Sequence, residues 1–509
     1  MHTIERDAAL PDRTESTPNM PIATTNDAVR ERSTPGMMPL YVGLGVYALL
    51  LIAGNRLLAD PDTYWQITIG RWIFDHRAVP VSDIYSFTMT DRPWISTQWL
   101  AQVLYGQADA VGGWSGVVVL TALPIALTFA ILARFLERRV GSIATMVLLS
   151  IAFAIALPHL LARPHALALP VMVTWVAVLL SASERGEAPS FWLIALMALW
   201  ANLHGSFVFG LMLVAPIALD ALVNAGTPFR KDLALRWAGF GVAALAASCL
   251  TPYGWNSLLA AQNILSLGEA LSIIREWAPA NFSSFGLFEA CILGGLALAL
   301  FTGVTFPPVR ILILLGLLHM ALTHVRNADV FALITPMVLA APLAARFKNL
   351  RDASQGAAFS SRMLVLPAIV AAILTATIPT LTNYAPNSWI SPSAAVSILK
   401  SYNAKRVFND YDLGGYLIWR GVPTYIDGRT ELFGEDFMVE HNAASALAKP
   451  LKFFELLNDY KIDATILRRQ TAGSKLLDRL PEWQQVYADD VAVVHIRKAA
   501  FPTLVPSQK

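Results

Sequence analysis

Long apolar runs broken by short polar stretches recur along the first 383 residues. Eleven of them, at roughly 39–58, 114–133, 140–157, 166–183, 190–204, 206–224, 237–252, 285–304, 310–324, 328–345 and 363–383, read as helices able to span a bilayer. Between the first two runs, residues 59–113 form a large polar loop. Its apolar positions predict a helix over Asp62–His76, with Trp65, Ile69, Trp72 and Ile73 on one face and Arg71 and Asp75 off it. A second helix is expected over 96–109 and a third, in a later loop, over 257–274; the first two are amphipathic enough to lie on a membrane surface.

From about residue 384 the pattern changes. The last 126 residues hold 29 charged side chains, against 45 in the preceding 383, and the apolar runs shorten to those of a water-facing domain. Helices are expected over 391–402, 413–420, 435–446, 450–460 and 472–479. Strands are expected over 406–409, 424–426, 464–467, 483–488 and 491–496. This alternation predicts an independently folded α/β domain over 384–509. The fold class is therefore a polytopic α-helical membrane protein of about eleven spans with a C-terminal extracytoplasmic α/β domain.

Composition agrees with the pattern. The chain is 55% hydrophobic and 15% charged, with mean hydropathy +0.51, whereas soluble domains carry about 25% charged residues. A net charge of +2, with no basic patch interleaved with aromatics, excludes a nucleic-acid partner. Cys249 and Cys291 sit in apolar runs and read as packing residues, not as a disulfide or a zinc site. Residues 1–38 are polar and mixed in charge, which predicts a disordered tail with no cleavable signal. Five loops, at 134–139, 184–190, 227–236, 305–310 and 346–362, hold twelve Lys or Arg, while the later loops on the other side hold three, Arg163, Arg275 and Arg326. By the positive-inside rule the N-terminus is cytoplasmic and the C-terminal domain lies outside.

That orientation gathers the chemistry on one face. Asp60-Pro61-Asp62, Arg163 and His165, Asn202 to Ser206 with His204, Arg275 in its Ile-Arg-Glu-Trp loop, and His324 with Arg326 all fall on the extracytoplasmic side. The fifth and ninth spans are short and end in His204 and His324, which predicts a recessed, water-filled vestibule. A lone His at a span end more often packs than binds, and an Arg there usually snorkels to headgroups. Here six cations share one side with two carboxylates, a set suited to an anionic, lipid-attached substrate. Asp60 and Asp62 keep two readings: a helix cap with a charge in the first turn, or a catalytic pair. Gly414-Gly415 reads as a tight turn with Asp caps or as a seat for an anion. Asp427 and Arg429 read as turn residues or as groups reaching back over the vestibule.

The loop after the first span carries more than a two-residue acidic motif. Asp60-Pro61-Asp62-Thr63-Tyr64-Trp65-Gln66, Gly70-Arg71-Trp72-Ile73, His76, Pro80, Asp83, Ser86, Thr88, Pro93-Trp94 and Gln98-Trp99-Leu100 stand in order. This run resembles the GT-C superfamily of integral-membrane glycosyltransferases, and within it the bacterial, protein-mannosyltransferase-like group. Gln66 stands where that pattern has His, and Gln98 where it has Glu. The resemblance implies a hexosyltransferase of the bacterial inner membrane that takes sugar from a polyprenyl-phosphate donor to a glycan, lipid or protein acceptor with inversion. Asp60 or Asp62 would be the base, or would position a divalent cation, the one cofactor the motif leaves open. Arg163, His165, His204, Arg275, His324 and Arg326 would surround the donor phosphate. Trp65, Gln66, Arg71, His76, Gln98 and Trp99 would support the outer loop. A lipid-linked-glycan ligase or polymerase and a non-catalytic scaffold of envelope polysaccharide assembly are the competing readings. A transporter fits less well, since no inverted repeat is visible and Asp220 lies towards a span end.

Overall fold

The computed structural model describes residues 36–265, 274–347 and 361–501. Nearly all of the expected N-terminal tail, and the later part of the helix expected over 257–274, lie outside these. A helix underlies each of the eleven apolar runs. Five helices are long and apolar enough to cross a membrane by length and composition: Trp99–His159, Pro164–Arg185, Phe207–Asn224, Val325–Arg346 and Arg362–Leu381. Met38–Ile52, Leu193–Leu203, Leu287–Thr302 and Pro308–Thr323 are apolar but shorter.

We label Met38–Ile52 α1, Asp62–His76 α2, Trp99–Ala156 α3 and Pro164–Arg185 α4. The 58 residues of α3 are one run only in name, because Gly113 and Gly141 leave helical dihedrals with φ of 54° and 72°. These breaks separate an outer-loop helix from two apolar segments, and each falls at a residue without the Cβ that disfavours positive φ. α1, α4 and Ala328–Arg346 pack along α3 around a core containing Phe129, Trp175, Trp200, Phe207 and Phe240.

At one end of this bundle Asp220, fully buried, accepts from Ser183 Oγ at 2.8 Å and from Arg310 Nε at 3.3 Å. Arg310 also reaches Glu184, which pairs with Arg139. The sequence reading placed Asp220 near a span end and did not single out Arg310. The structure makes the two one ionic staple between helices, in which each buried charge finds its opposite.

The C-terminal residues form a four-stranded sheet of order β1-β2-β4-β3, from Val407–Asn409, Ala464–Leu467, Trp483–Ala488 and Val493–Arg497. β1 and β2 are parallel and the other pairs antiparallel. Helices Ser393–Ser401, Gly414–Trp419, Glu435–Ser445, Pro450–Asp459 and Ala472–Leu477 surround it. The strand expected over 424–426 is not part of this sheet. Thr424 makes only isolated parallel bridges, to Ser86 and to Val407, and so ties the outer loop to the sheet edge.

The main correction concerns α2. Its apolar face was expected on the membrane surface, but protein covers it on both sides. Trp65, Ile69 and Ile73 enter a core with Phe408, Ile418, Tyr425 and Ile426 of the C-terminal part. Tyr64 packs edge-on to Trp114 and Tyr416, and Ile67 belongs to the bundle core. The approach is close enough to demand glycine. A Cβ on Gly70 would stand 1.8 Å from the Gln102 carbonyl oxygen of α3, and one on Gly415 would stand 2.3 Å from the Pro61 carbonyl oxygen. Gly414-Gly415 is thus a contact surface for the acidic motif, and the Asp cap is also present, with Asp410 accepting from the Asp412 amide.

A buried clamp fixes the same junction. Arg429 makes a bidentate pair with Asp427, at 2.8 and 2.7 Å, and a further pair with Asp83 of the outer loop. All three are fully buried, so Asp427 and Arg429 do not reach over a vestibule. Asp83 also accepts from the Ser86 amide and hydroxyl, and Trp94 donates to Glu431 at 2.9 Å.

Candidate active site

The acidic motif sits where α1, α2, α4 and the C-terminal part meet. Asp60 is buried. Its Oδ1 accepts from the Asp62 amide at 2.7 Å, which is the capping role read from the sequence, while its Oδ2 pairs with Arg163 Nε. Thr63 Oγ1 donates to the Ala162 carbonyl at 2.9 Å and ties the start of α2 to the residue before Arg163. Asn at position 60 preserves the amide acceptor but leaves Arg163 half matched. Asp60→Asn is therefore expected to cost about 3–5 kcal/mol in denaturant unfolding, where a capping role alone predicts almost none.

Asp62 is different. Its Oδ1 accepts from Trp65 Nε1 at 2.9 Å and its Oδ2 lies 3.9 Å from Arg163, with a quarter of the side chain open. Gly428 packs so closely that a Cβ there would stand 2.0 Å from Oδ1. Enclosure by protein on every other side pushes the carboxyl up to about 8, with the negative neighbours Glu276, Asp412 and Asp427 adding to the rise and the Trp65 bond opposing it. Arg163 does not reverse this, being already matched by Asp60 and Glu276.

Glu276 is the residue the sequence reading missed. The loop was singled out for Arg275, whose side chain lies outside the described ones, but it is Glu276 that enters the cluster. One oxygen pairs with Arg163 and the other with Arg326 Nη1 at 3.3 Å, and the Arg326 guanidinium lies 4.2 Å over the Trp277 ring. Burial opposes the charge of Glu276, but the two guanidiniums outweigh it and hold the carboxyl down to about 2. His324 Nδ1 meets the Trp277 carbonyl at 2.7 Å and so supports this loop.

His165 and His204 stand edge to face, 5.1 Å between ring centres. His165 Nε2 pairs at 2.6 Å with the buried Asp329, a second unforeseen partner, and His204 Nδ1 meets Ser206 Oγ at 2.9 Å. Trp99 Nε1 donates to Asn202, two residues before His204. Gln66 is buried, and among the described residues its Oε1 meets no donor. Gln98 precedes α3, and its backbone carbonyl accepts from the Gln102 amide at 3.0 Å. Arg71 pairs with Asp109 of α3, and His76 stacks on Trp72; both stabilise the outer loop and neither joins the ionic cluster. Two apolar grooves flank Trp99 and Pro252, and neither is lined by the acidic pair.

The acidic motif leaves a divalent cation between Asp60 and Asp62 open. The Arg163 guanidinium already lies against both, and among the described residues no group of three or more His, Cys, Asp or Glu side chains is arranged to hold a metal ion.

No protein-family model matches the sequence, and no curated protein does either. Solved structures do match. The archaeal oligosaccharyltransferase AglB from Archaeoglobus fulgidus, in complex with an inhibitory peptide and a dolichol-phosphate, aligns with a TM-score of 0.54 at 14% identity. The alignment covers 84% of this chain and 69% of that one. The apo form of the Archaeoglobus fulgidus oligosaccharyltransferase gives 0.50 at 11% identity over the same shares. ArnT from Cupriavidus metallidurans, bound to undecaprenyl phosphate, reaches only 0.33 at 14% identity, over 90% of this chain and 97% of that one, and carries no argument. The chain therefore shares the fold of these oligosaccharyltransferase structures.

Proposed function

We propose that this protein is a membrane glycosyltransferase that moves a sugar from a polyprenyl-phosphate donor to an extracytoplasmic glycolipid, polysaccharide or protein acceptor. The observation that carries the reading is Asp62, a part-open carboxyl 3.9 Å from the Arg163 guanidinium and raised to about 8. A general base is most effective when its pKa lies near the working pH. The acceptor oxygen attacks the anomeric carbon as Asp62 takes its proton. The bond from that carbon to the phosphate oxygen breaks, and polyprenyl phosphate departs with the electron pair. Arg163 and Arg326, with His165 and His204 beside them, offset the charge on the leaving phosphate, a contribution of about 3 kcal/mol per well-placed donor. A single displacement inverts the sugar carbon. Likeness in fold to a protein solved with dolichol-phosphate supports a lipid-phosphate donor.

The test is transfer from a radiolabelled polyprenyl-phosphate sugar by the purified protein, with the anomer of the product assigned by NMR. An inverted product supports the reading. Consumption only of diphosphate-linked glycans, unaffected by Asp62→Asn, would make the protein a ligase. The burial of Asp60 in an ion pair favours keeping that second reading in the assay.

We propose that the site faces outward from a bacterial inner membrane, with residues 1–38 in the cytoplasm. In a background with Cys249 and Cys291 replaced by Ser, cysteines at the exposed positions Glu187 and Ser388 should label from opposite sides with an impermeant thiol reagent. Labelling of both from outside would reverse this orientation.

A further inference from the structure

Three carboxylates, two from the acidic motif and one from the loop at 274–277, converge on one guanidinium. Asp60 pairs with Nε of Arg163, Asp62 faces Nη2 at 3.9 Å, and Glu276 pairs with Nη1. Each nitrogen thus has its own carboxylate. The backbone that carries this group is also fixed. Arg163 is extended, at φ −126° and ψ 155°, immediately before Pro164 opens α4. Its carbonyl accepts from Tyr105 Oη at 3.0 Å, and the neighbouring Ala162 carbonyl from Thr63 Oγ1. A set of carboxyl oxygens is otherwise the setting of a hard divalent cation.

We infer that Arg163 is the built-in cation of this site: its guanidinium bridges Asp60, Asp62 and Glu276 and does the organising that a divalent metal ion would otherwise do. A guanidinium stays charged at any pH the protein meets and presents five donors in a rigid fork. It can therefore hold three carboxylates in register and still turn an N–H towards an anionic group entering the site. A lysine, with one compact charge, cannot bridge all three. The inference concerns what organises the carboxylates and stands whether or not the transfer reaction proposed above is correct.

The test uses the full-length protein, purified in detergent and stripped with chelator, with Mn2+ alone as the probe and electron paramagnetic resonance as the readout. Wild type should bind no Mn2+ at concentrations that saturate Arg163→Ala, in which the three carboxylates are left facing a vacated position. Adding Glu276→Gln to Arg163→Ala should weaken Mn2+ binding about 10–100-fold. Mn2+ bound by wild type and lost in Asp62→Asn would overturn the inference. So would an Arg163→Ala protein that keeps wild-type tryptophan fluorescence and thermal unfolding yet takes up no Mn2+. Should Arg163→Ala not fold, the wild-type arm and Arg163→Lys decide, the latter expected to bind Mn2+ more tightly than wild type and overturning the inference if it does not. If transfer is detected, EDTA should leave its rate unchanged; loss restored by Mn2+ would count against the inference, while absence of transfer leaves the binding result intact.

Discussion

Asp62→Asn is expected to lower sugar transfer about 10²–10⁴-fold while the protein still folds and still binds its lipid donor. Asn is nearly isosteric, can accept the Trp65 N–H bond, and cannot take a proton from an acceptor hydroxyl. The wild-type rate should rise with pH through about 8, where the carboxyl loses its proton. Stability should move the other way. The folded carboxyl holds its proton above the unfolded value of 3.8, so between there and about 8 the folded state binds more protons. Stability therefore falls as pH rises across that window and levels off above it. Asn does not titrate, so the variant should gain on wild type in thermal unfolding from pH 4 to pH 8. A variant that is inactive and also less stable than wild type at pH 8 would move Asp62 from chemistry to architecture.

The second large effect concerns residues 384–509 expressed alone. The pattern of short strands and helices predicts a self-sufficient domain, but its core is shared. Trp65, Ile69, Ile73 and Trp94 all come from the outer loop. Burial of side chains of this size stabilises by about 1.5–3 kcal/mol each, and a whole domain is stable by about 5–15 kcal/mol. Removing all four, together with the buried partner of Arg429, should leave the fragment without a cooperative unfolding transition. Fusing residues 59–98 to it through a flexible linker should restore one. A sharp denaturant transition in the unfused fragment would show that the shared core is dispensable.

These cases also mark what the sequence can reveal. The period of α2 is written in its apolar positions, and its bounds at Asp62 and His76 follow from them. What covers its faces is not, because an apolar stripe is the same whether lipid or protein lies against it. Gly415 is visible beside Gly414, but its reason is the Pro61 backbone, some 350 residues earlier, while Gly428 makes room for the Asp62 carboxyl. Likewise the side-chain types at Asp60, Arg163, His165 and Arg326 were legible as a one-sided set, since loop charge fixes which loops share a face. Glu276 and Asp329 were not. A single carboxylate in a loop or in the first turn of a span is normally solvated, and only its pairing with Arg163 or His165 sets it apart. The signal available was opposite charge: a face collecting so many cations needs counter-ions, and Glu276 stands directly beside Arg275.

The clamp between Asp83 and Arg429 joins residues 346 positions apart, and this bears on how the protein is made. The acidic motif and α2 emerge from the ribosome early, whereas the residues that cover them come near the end of synthesis. Until then, the apolar faces of α2 must wait uncovered or be shielded by chaperones, because contacts of such long sequence separation form late. A chain ended by a premature stop before residue 429 lacks the clamp altogether. It would present Trp65, Ile69 and Ile73 as a degradation mark, and Asp62 would sit in water with an ordinary carboxylate pKa. Completion of the C-terminus is thus expected to set the lifetime of the chain, a truncated product being cleared faster than the full-length protein in a pulse–chase experiment.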